Sequence, residues 1–322
     1  MNIFIHTLGS LLARHISLKL LAEDSKLRYD LVTRNLARYI SGATAHASDI
    51  PLSALTVEVM VGFRDWSLLR VQPTTFNTER RHLSAMFNGA VRHQIMASNP
   101  FRDVPGAPVP KLLPKSIPKP DFLAALRLLE TGKRRDRQGR DCELIEPQWF
   151  WLAVLRTFYF TGMRKRQLLG LRWGDIDFAG MTIKLRAATS KTRREWLVPL
   201  PIPLVGDLER LRRRTIEVRG ETPAEAQVFC LPMLSTRKRT FSSREMKADN
   251  LDNFFQRLRR LLPRDSPRIS AHRIRHTTAT ILANSVTNLK VVQEQLGHSS
   301  ILTTYGYVHP DLESMRKALT AL

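Results

Sequence analysis

The sequence predicts a mainly α chain with a small antiparallel β-sheet, an α+β fold arranged as two domains. Three observations carry this. Apolar residues in the first hundred positions recur at helical spacing between basic ones. A proline-rich stretch without periodicity, at 99–120, then interrupts the chain. Beyond it, helical segments surround two short alternating runs, MTIKLRA (181–187) and EWLVPL (195–200), which read as strands. The boundaries fall at 1–104 for a helical domain, 105–119 for a Pro-rich basic linker, and 120–322 for a mixed domain ending in a tail helix. With 322 residues, 43% of them apolar, the chain can fill two cores at roughly 100–200 residues per domain.

In the first domain, SKLRYDLVTRNLARYI sets Leu27, Leu31, Leu36 and Ile40 near helical spacing. Residues 53–70 and 73–95 read as two further helices. In the second of these, Leu83, Phe87 and Val91 share a face, while Arg80, Arg81 and Arg92 fall elsewhere. The first twenty residues read equally as a helix or a loose arm. The linker stays basic through Lys119. In the second domain, DFLAALRLLE is helical, TGKRRDRQGRD (131–141) is a charged loop, and QWFWLAVLRTFYF (148–160) is an apolar core helix. ATSKTRR forms the tip between the two strands. SAHRIRHTTATILAN begins at a good N-cap, Ser270, with Ile274, Ile281 and Leu282 toward the core. NLKVVQEQL turns Leu289, Val292 and Leu296 inward and stops at Gly297. Ser299 or Ser300 starts the next helix, which carries Tyr305 and Tyr307. After Pro310, an N-cap at Asp311 and one apolar stripe (Leu312, Met315, Leu319, Leu322) predict a short tail helix that docks on its own domain or on a neighbour.

There are 51 Lys+Arg against 29 Asp+Glu, a formal net charge of +22. So large a surplus points to a polyanionic partner, with nucleic acid the first choice, because basic side chains bind phosphates and release condensed counterions. A merely solubilising surface is the weaker account. Two cysteines, Cys142 and Cys230, make neither a disulfide framework nor a CxxC metal site, which suits a reducing cytoplasm. No run of about 18 apolar residues predicts a membrane span.

Four stretches carry side chains suited to chemistry. In TGMRKRQLLGLRWGDID (161–177), Gly162 breaks the apolar helix and Arg164 follows at the start of the next. A guanidinium there can hold a phosphate with its planar fork; alone, it reads as a surface cap. In TSKTRREWLVPL (189–200), Lys191 lies at the tip, where an ammonium can protonate a leaving oxygen; alone, it is a solvated turn lysine. In SAHRIRH (270–276), His272, Arg275 and His276 share one face of a helix N-terminus, a setting that favours phosphate. The HxxxH spacing also raises zinc. The motif lacks an adjacent glutamate or cysteine, and its arginines would repel a dication. In LGHSSILTTYGYVHPD (296–311), His298 sits at a sharp bend before the tyrosines; two core tyrosines are the ordinary alternative. Together, two arginines, a lysine, histidines and a tyrosine suffice for phosphoryl transfer without metal. Arginines neutralise the transition state and a tyrosine stores the bond as an ester.

In these residues the chain resembles the tyrosine recombinases, or phage integrase family, strongly over 161–200 and 270–309 and more loosely in the N-terminal bundle. The resemblance implies a core-binding helical domain followed by a catalytic domain, closing as a C-shaped clamp on duplex DNA. It gives Arg164 and Arg275 as the catalytic arginines, Lys191 as the proton donor to the leaving 5′ oxygen, His272 as acid/base, His298 as a phosphate-bonding histidine, and Tyr307, rather than Tyr305, as the nucleophile. It implies a 3′-phosphotyrosyl intermediate, no metal, no ATP and no other cofactor. Four protomers on two duplexes exchange strands through a Holliday junction, the free protein being a monomer or weak dimer, with room for an accessory DNA-bending protein and no membrane partner. Arg80, Arg81, Arg92, Lys119, Arg193, Arg194 and Arg273 are expected to contact DNA. The expected setting is cytoplasmic and nucleoid-associated. Strand relaxation of the type IB topoisomerase kind, or a silent DNA-binding regulator, would use the same fold. One departure stands out: Gln167 occupies a position that is commonly acidic in the family.

Overall fold

The computed structural model describes residues 5–110, 116–190, 193–234 and 244–308, with 316, 319 and 320. The chain divides into two compact units, 1–112 and 113–322.

The first unit is built from α1 (Leu8–Leu18), α2 (Glu23–Ser41), α3 (Val57–Leu68) and α4 (Pro73–Arg92). Local chemistry sets their starts. The Thr7 and Thr56 side chains accept from N–H groups of the first turns of α1 and α3, and Pro73 opens α4, where its missing N–H costs nothing. The arm-or-helix choice for the N-terminus resolves to helix α1. Leu8, Leu36, Met60, Phe63, Phe76, Leu83, Phe87 and Phe101 are fully buried between the helices. The buried face of α2 differs from the expected one. Leu27 and Leu31 are exposed, and Tyr29, Val32, Thr33, Leu36 and Ala37 face the core. That series keeps the three-to-four spacing of a single helical face through an aromatic and a threonine.

Polar side chains tie this bundle together. The buried Glu79 carboxylate accepts from Asn35 Nδ2 on α2 (2.9 Å) and from Ser67 Oγ on α3 (3.1 Å), so α4 holds both neighbours. The start of the proline-rich stretch is pinned to α4. Arg80 Nε donates to the Val104 carbonyl at 2.6 Å, and Asn77 bonds the Ala107 backbone in both directions at 2.8 Å.

The second unit runs α5 (Lys119–Thr131), β1 (Lys133–Arg135), β2 (Asp141–Glu143), α6 (Gln148–Thr161), α7 (Lys165–Gly170), β3 (Ile176–Asp177), β4 (Thr182–Leu185), β5 (Trp196–Pro199), α8 (Ile202–Arg219), α9 (Leu231–Leu234), α10 (Ala248–Leu261), α11 (Ala271–Ser285), α12 (Leu289–Leu296) and α13 (Ile301–Tyr305). Helix α6 is apolar almost all round because it lies inside, packed by α5, α8 and α11. The sheet order is β3-β4-β5, all antiparallel, with Ile183 opposite Val198 and Leu185 opposite Trp196 on the buried face. Under this sheet, the buried Asp175 carboxylate accepts from Arg186 Nε with both oxygens at 2.8 Å and from the Arg172 N–H at 3.0 Å.

Two local expectations change. Residues 131–141 are not a plain loop: β1 and β2 form an antiparallel hairpin, with Arg134 opposite Cys142. No apolar alternation marks it, because no residue of either strand is buried. Ile281, expected inside, is exposed, and Thr277, Thr278 and Ala279 take the buried side of α11 instead. The expected tail helix lies mostly outside the described residues; Leu319 is exposed. Among the described residues, no helix is long and apolar enough to cross a membrane.

His15 on α1 is buried against the Tyr29 ring, with centroids 4.6 Å apart, and its Nε2 has no hydrogen-bond partner among the described residues. Burial, with some help from Lys19, pulls its pKa down to about 4. The folded imidazole is therefore neutral, while the unfolded one takes a proton near pH 6.5. Its contribution to stability is complete above that pH and is lost as pH falls toward 4. The melting temperature of the wild type should drop between pH 7 and pH 4.5, and His15→Leu should flatten that drop. Parallel slopes in thermal melts of the two proteins would contradict the assignment.

Candidate active site

The site begins with two helix ends. Helices α6 and α12 both stop at a glycine in the left-handed conformation, Gly162 (φ 63°) and Gly297 (φ 62°). Glycine is required twice over. A Cβ on Gly162 would lie 2.8 Å from Leu296 Cδ2, and one on Gly297 would run into the Trp196 indole of β5. Carbonyls at helix ends lack intrahelical partners and carry partial negative charge. Arg275 of α11 uses both ends. Its Nη1 donates to the Gly162 carbonyl and its Nη2 to the Leu296 carbonyl, each at 2.8 Å. Arg164, the residue before α7, points Nη1 at the same Leu296 carbonyl at 3.5 Å. The Arg164 backbone N–H donates to Gln167 Oε1 at 2.6 Å. Gln167 thus serves as the cap that a carboxylate would otherwise provide.

His298 closes the other side of Arg275. Arg275 Nη2 lies 3.0 Å from His298 Nε2, and His298 Nδ1 lies 3.0 Å from Thr304 Oγ1. A guanidinium only donates, so Nε2 accepts and Nδ1 carries the proton toward threonine. Burial, followed by the Arg275 and Arg164 charges, lowers the His298 pKa to about 4, so the ring is neutral at physiological pH. The Tyr307 ring stacks on it at 5.6 Å and 10° and leans on His276 at 5.0 Å. Tyr307 is half-buried, and its phenol lies close enough to Arg275 to favour the charged guanidinium; Tyr305 is 57% exposed. His272 and His276 meet Nε2 to Nε2 at 3.0 Å.

The electrostatics are unusual for a protein interior. Burial, then the charge of Arg164, lowers the Arg275 pKa, and burial also lowers that of Arg164. Among the described residues, neither guanidinium forms an ion pair with a carboxylate; carbonyls, an imidazole and a phenol surround them. Two desolvated cations without a counter-ion favour an incoming anion. His272 lies at the exposed rim of the site, and partial desolvation there, then Arg275 and Arg164, lowers its pKa. Among the described residues, no three His, Cys, Asp or Glu side chains gather to hold a metal.

Of the sequence-selected residues, Arg164, His272, Arg275, His298 and Tyr307 come together here. Lys191 lies outside the described residues. Arg193, with φ 51°, and Arg194 are exposed on the approach to β5. Arg273 is half-buried and donates to the Arg268 carbonyl at 3.2 Å. Lys119 is exposed in the first turn of α5. Arg80, Arg81 and Arg92 belong to α4 of the other unit; Arg81 and Arg92 are exposed, while Arg80 is half-buried. Sequence reasoning did not find Thr304 or the packing of Trp196 on Gly297, since neither has a local signal.

The glycine requirement is measurable. Gly220 also has positive φ, but nothing lies within 4 Å of an added Cβ. Gly220→Ala should cost about 1–2 kcal/mol from the left-handed backbone alone. Gly297→Ala should cost at least ~1 kcal/mol more, because the indole must also move. Urea unfolding midpoints of the two variants would separate these contributions, and equal losses would contradict the Trp196 contact.

Comparison with known proteins places this geometry. The phage integrase family profile matches residues 147–314, and the phage integrase SAM-like domain profile matches 11–105. A Pseudomonas aeruginosa protein named "Putative tyrosine recombinase XerC" is 31% identical over 306 residues, covering 94% of this chain and 68% of that protein. A Pseudomonas syringae protein of the same name is 30% identical over 272 residues, covering 81% of this chain and 54% of that one. The chain thus spans about half to two thirds of the length of these relatives. Two solved structures share the fold. The Tn1549 transposon integrase in complex with transposon right end DNA has a TM-score of 0.69 at 19% identity, over 98% of this chain and 99% of that chain. A lambda integrase tetramer bound to a Holliday junction has a TM-score of 0.67 at 18% identity, over 95% and 78%. With both profiles matched in order and the arginines, histidines and tyrosine of the sequence boxes gathered at one place, the chain belongs to the phage integrase family of tyrosine recombinases.

Proposed function

We propose that this protein is a site-specific DNA recombinase, an integrase that cuts and rejoins duplex DNA through a 3′-phosphotyrosyl link. The observation that carries this reading is the buried Arg275 guanidinium beside the half-buried Arg164, neither with a carboxylate partner among the described residues, close to the Tyr307 phenol. A DNA phosphodiester supplies the missing negative charge. Arg164 and Arg275 bind its non-bridging oxygens and stabilise the additional charge of the transition state. The Tyr307 oxygen forms a bond to phosphorus as the bond to the 5′ oxygen breaks. His272 takes and returns the phenolic proton, and Lys191 protonates the leaving oxygen. In the free protein both His298 nitrogens are engaged, so bonding a phosphate calls for the other tautomer, with Nε2–H donating to a phosphate oxygen and Nδ1 accepting from the Thr304 hydroxyl. The 5′-hydroxyl of a partner duplex then attacks the phosphotyrosine and reverses these steps. Bonds made equal bonds broken, so the cycle needs no ATP.

The +22 net charge supports a duplex DNA partner held largely through phosphates. Exposed Arg81 and Arg92 in the first unit and exposed Lys119, Arg193 and Arg194 in the second are the cations we assign to DNA contact, with Arg80 and Arg273 half-buried in their own units. Strand exchange between two duplexes calls for four protomers, the stoichiometry of the lambda integrase assembly on a Holliday junction.

A duplex nicked just beyond the cut site traps the intermediate, because the short leaving strand diffuses away. Wild type should form a covalent protein–DNA adduct. Tyr307→Phe should form none, and Tyr305→Phe should stay within about threefold of wild type. Arg275→Ala should slow adduct formation by roughly 10²–10³. A dead Tyr305→Phe with an active Tyr307→Phe would move the nucleophile, and an adduct formed by neither wild type nor variants would end the reading.

A further inference from the structure

The histidine pair at the start of α11 has a feature the reaction above leaves unused. His272 and His276 stand one turn apart, and their Nε2 atoms approach to 3.0 Å with the rings at 84°. Two imidazoles in such contact hold one proton between those nitrogens, since two lone pairs or two N–H groups would repel. Each neutral ring carries a single proton. If the bridging proton sits on His276, then His272 must carry its own on Nδ1. If the bridge sits on His272, its Nδ1 is a bare base. The two neutral arrangements therefore present opposite groups on His272 Nδ1, an N–H in one and a lone pair in the other, and passing between them takes the bridging proton across 3.0 Å together with proton exchange at each Nδ1.

His276 also leans on the Tyr307 ring, with centroids 5.0 Å apart. Charged and titratable groups act on the pair: Arg275 on α11, Arg164 before α7, His298 after α12, and Tyr307 after α13. Apart from the phenol and the neutral His298, these are cations. They oppose protonation of His272, and a lone imidazole among them would be a weak base.

We propose that His276 is a positioning residue that shares a proton with His272 and so sets which nitrogen of His272, in which protonation state, faces the reaction. The proposal rests on the recombinase reading. During cleavage, the bare Nδ1 of His272 takes the phenolic proton while the oxygen–phosphorus bond forms and the 5′ oxygen leaves with a proton from Lys191. The bridging proton then passes to His276, which carries the cation and leaves His272 neutral with Nδ1–H. Rejoining returns the first proton to the phenolate and the second to His272. Spreading the cation over two rings keeps His272 basic beside the arginines.

Single-turnover cleavage of the nicked duplex between pH 5 and pH 9 tests this with two variants. His276→Phe keeps the ring packing and removes the bridge, and His276→Gln keeps a hydrogen bond and removes the titration. Both should lower the midpoint of the pH–rate profile by about one unit. His276→Phe should also lower the plateau roughly tenfold, with His276→Gln recovering part of it. Nitrogen NMR of the imidazoles in the free protein should show coupled titration of the two rings in wild type and a lower His272 midpoint in His276→Gln. Unchanged midpoints in both experiments would overturn the proposal, whether or not the rate falls. If wild type forms no Tyr307 adduct, the recombinase reading fails by itself, and the NMR titration still decides the proton sharing.

Discussion

The structure of the second unit depends on the burial of Arg275. A guanidinium removed from water must keep its hydrogen bonds, and this one finds them at two helix ends and one imidazole. Those acceptors exist only because α6 and α12 each stop at a left-handed glycine, which turns the chain and leaves the terminal carbonyls available. The arginine therefore joins α6, α11 and α12 where a purely apolar contact would have done as much for packing. What packing alone would not supply is charge. The helix carbonyls compensate it in part, through partial charges near half a unit. The remainder is an attraction for an anion.

The surrounding parts keep that arrangement in place. Trp196 closes on Gly297 from β5, and its strand is held in register by Ile183, Leu185 and Val198. The Asp175–Arg186 pair fixes the turn that feeds this sheet, and Arg186 continues to Glu225, so the strands are anchored by buried charge as well as by apolar contact. Thr277 of α11 accepts from the Ile117 N–H at 2.7 Å, which ties the segment before α5 to the helix bearing the site. Rigid elements on several sides leave the reacting groups little freedom, as preorganised electrostatic stabilisation requires. The proposed proton sharing between His272 and His276 adds to this. It would keep a base functional inside a field of positive charge.

Much of the fold was legible because it is local. The serine N-caps at 270 and 300, the glycine stops at 162 and 297, the helix opening at Pro73 and the alternation of β4 and β5 each act within a few residues. Errors came where one pattern served two settings. Leu27 and Leu31 have helical spacing, yet the face through Tyr29 and Val32 buries more continuously. The β1–β2 hairpin has no buried face, so its charged strands read as loop.

The sequence by itself determined which groups are present and in what order: two arginines beside helix starts, histidines one helical turn apart, and a tyrosine after a capped bend. Those are relations between near neighbours, set by backbone geometry and short spacings. Only the tertiary structure decided that Arg275 crosses 113 positions to reach Gly162 and that Arg164 reaches Leu296 across 132. It also decided that Tyr307 lies against His298 while Tyr305 faces solvent. The physical reason is that burial and desolvation belong to the assembled core. A residue's charge is written in its side chain, but how strongly that charge acts depends on what has packed around it.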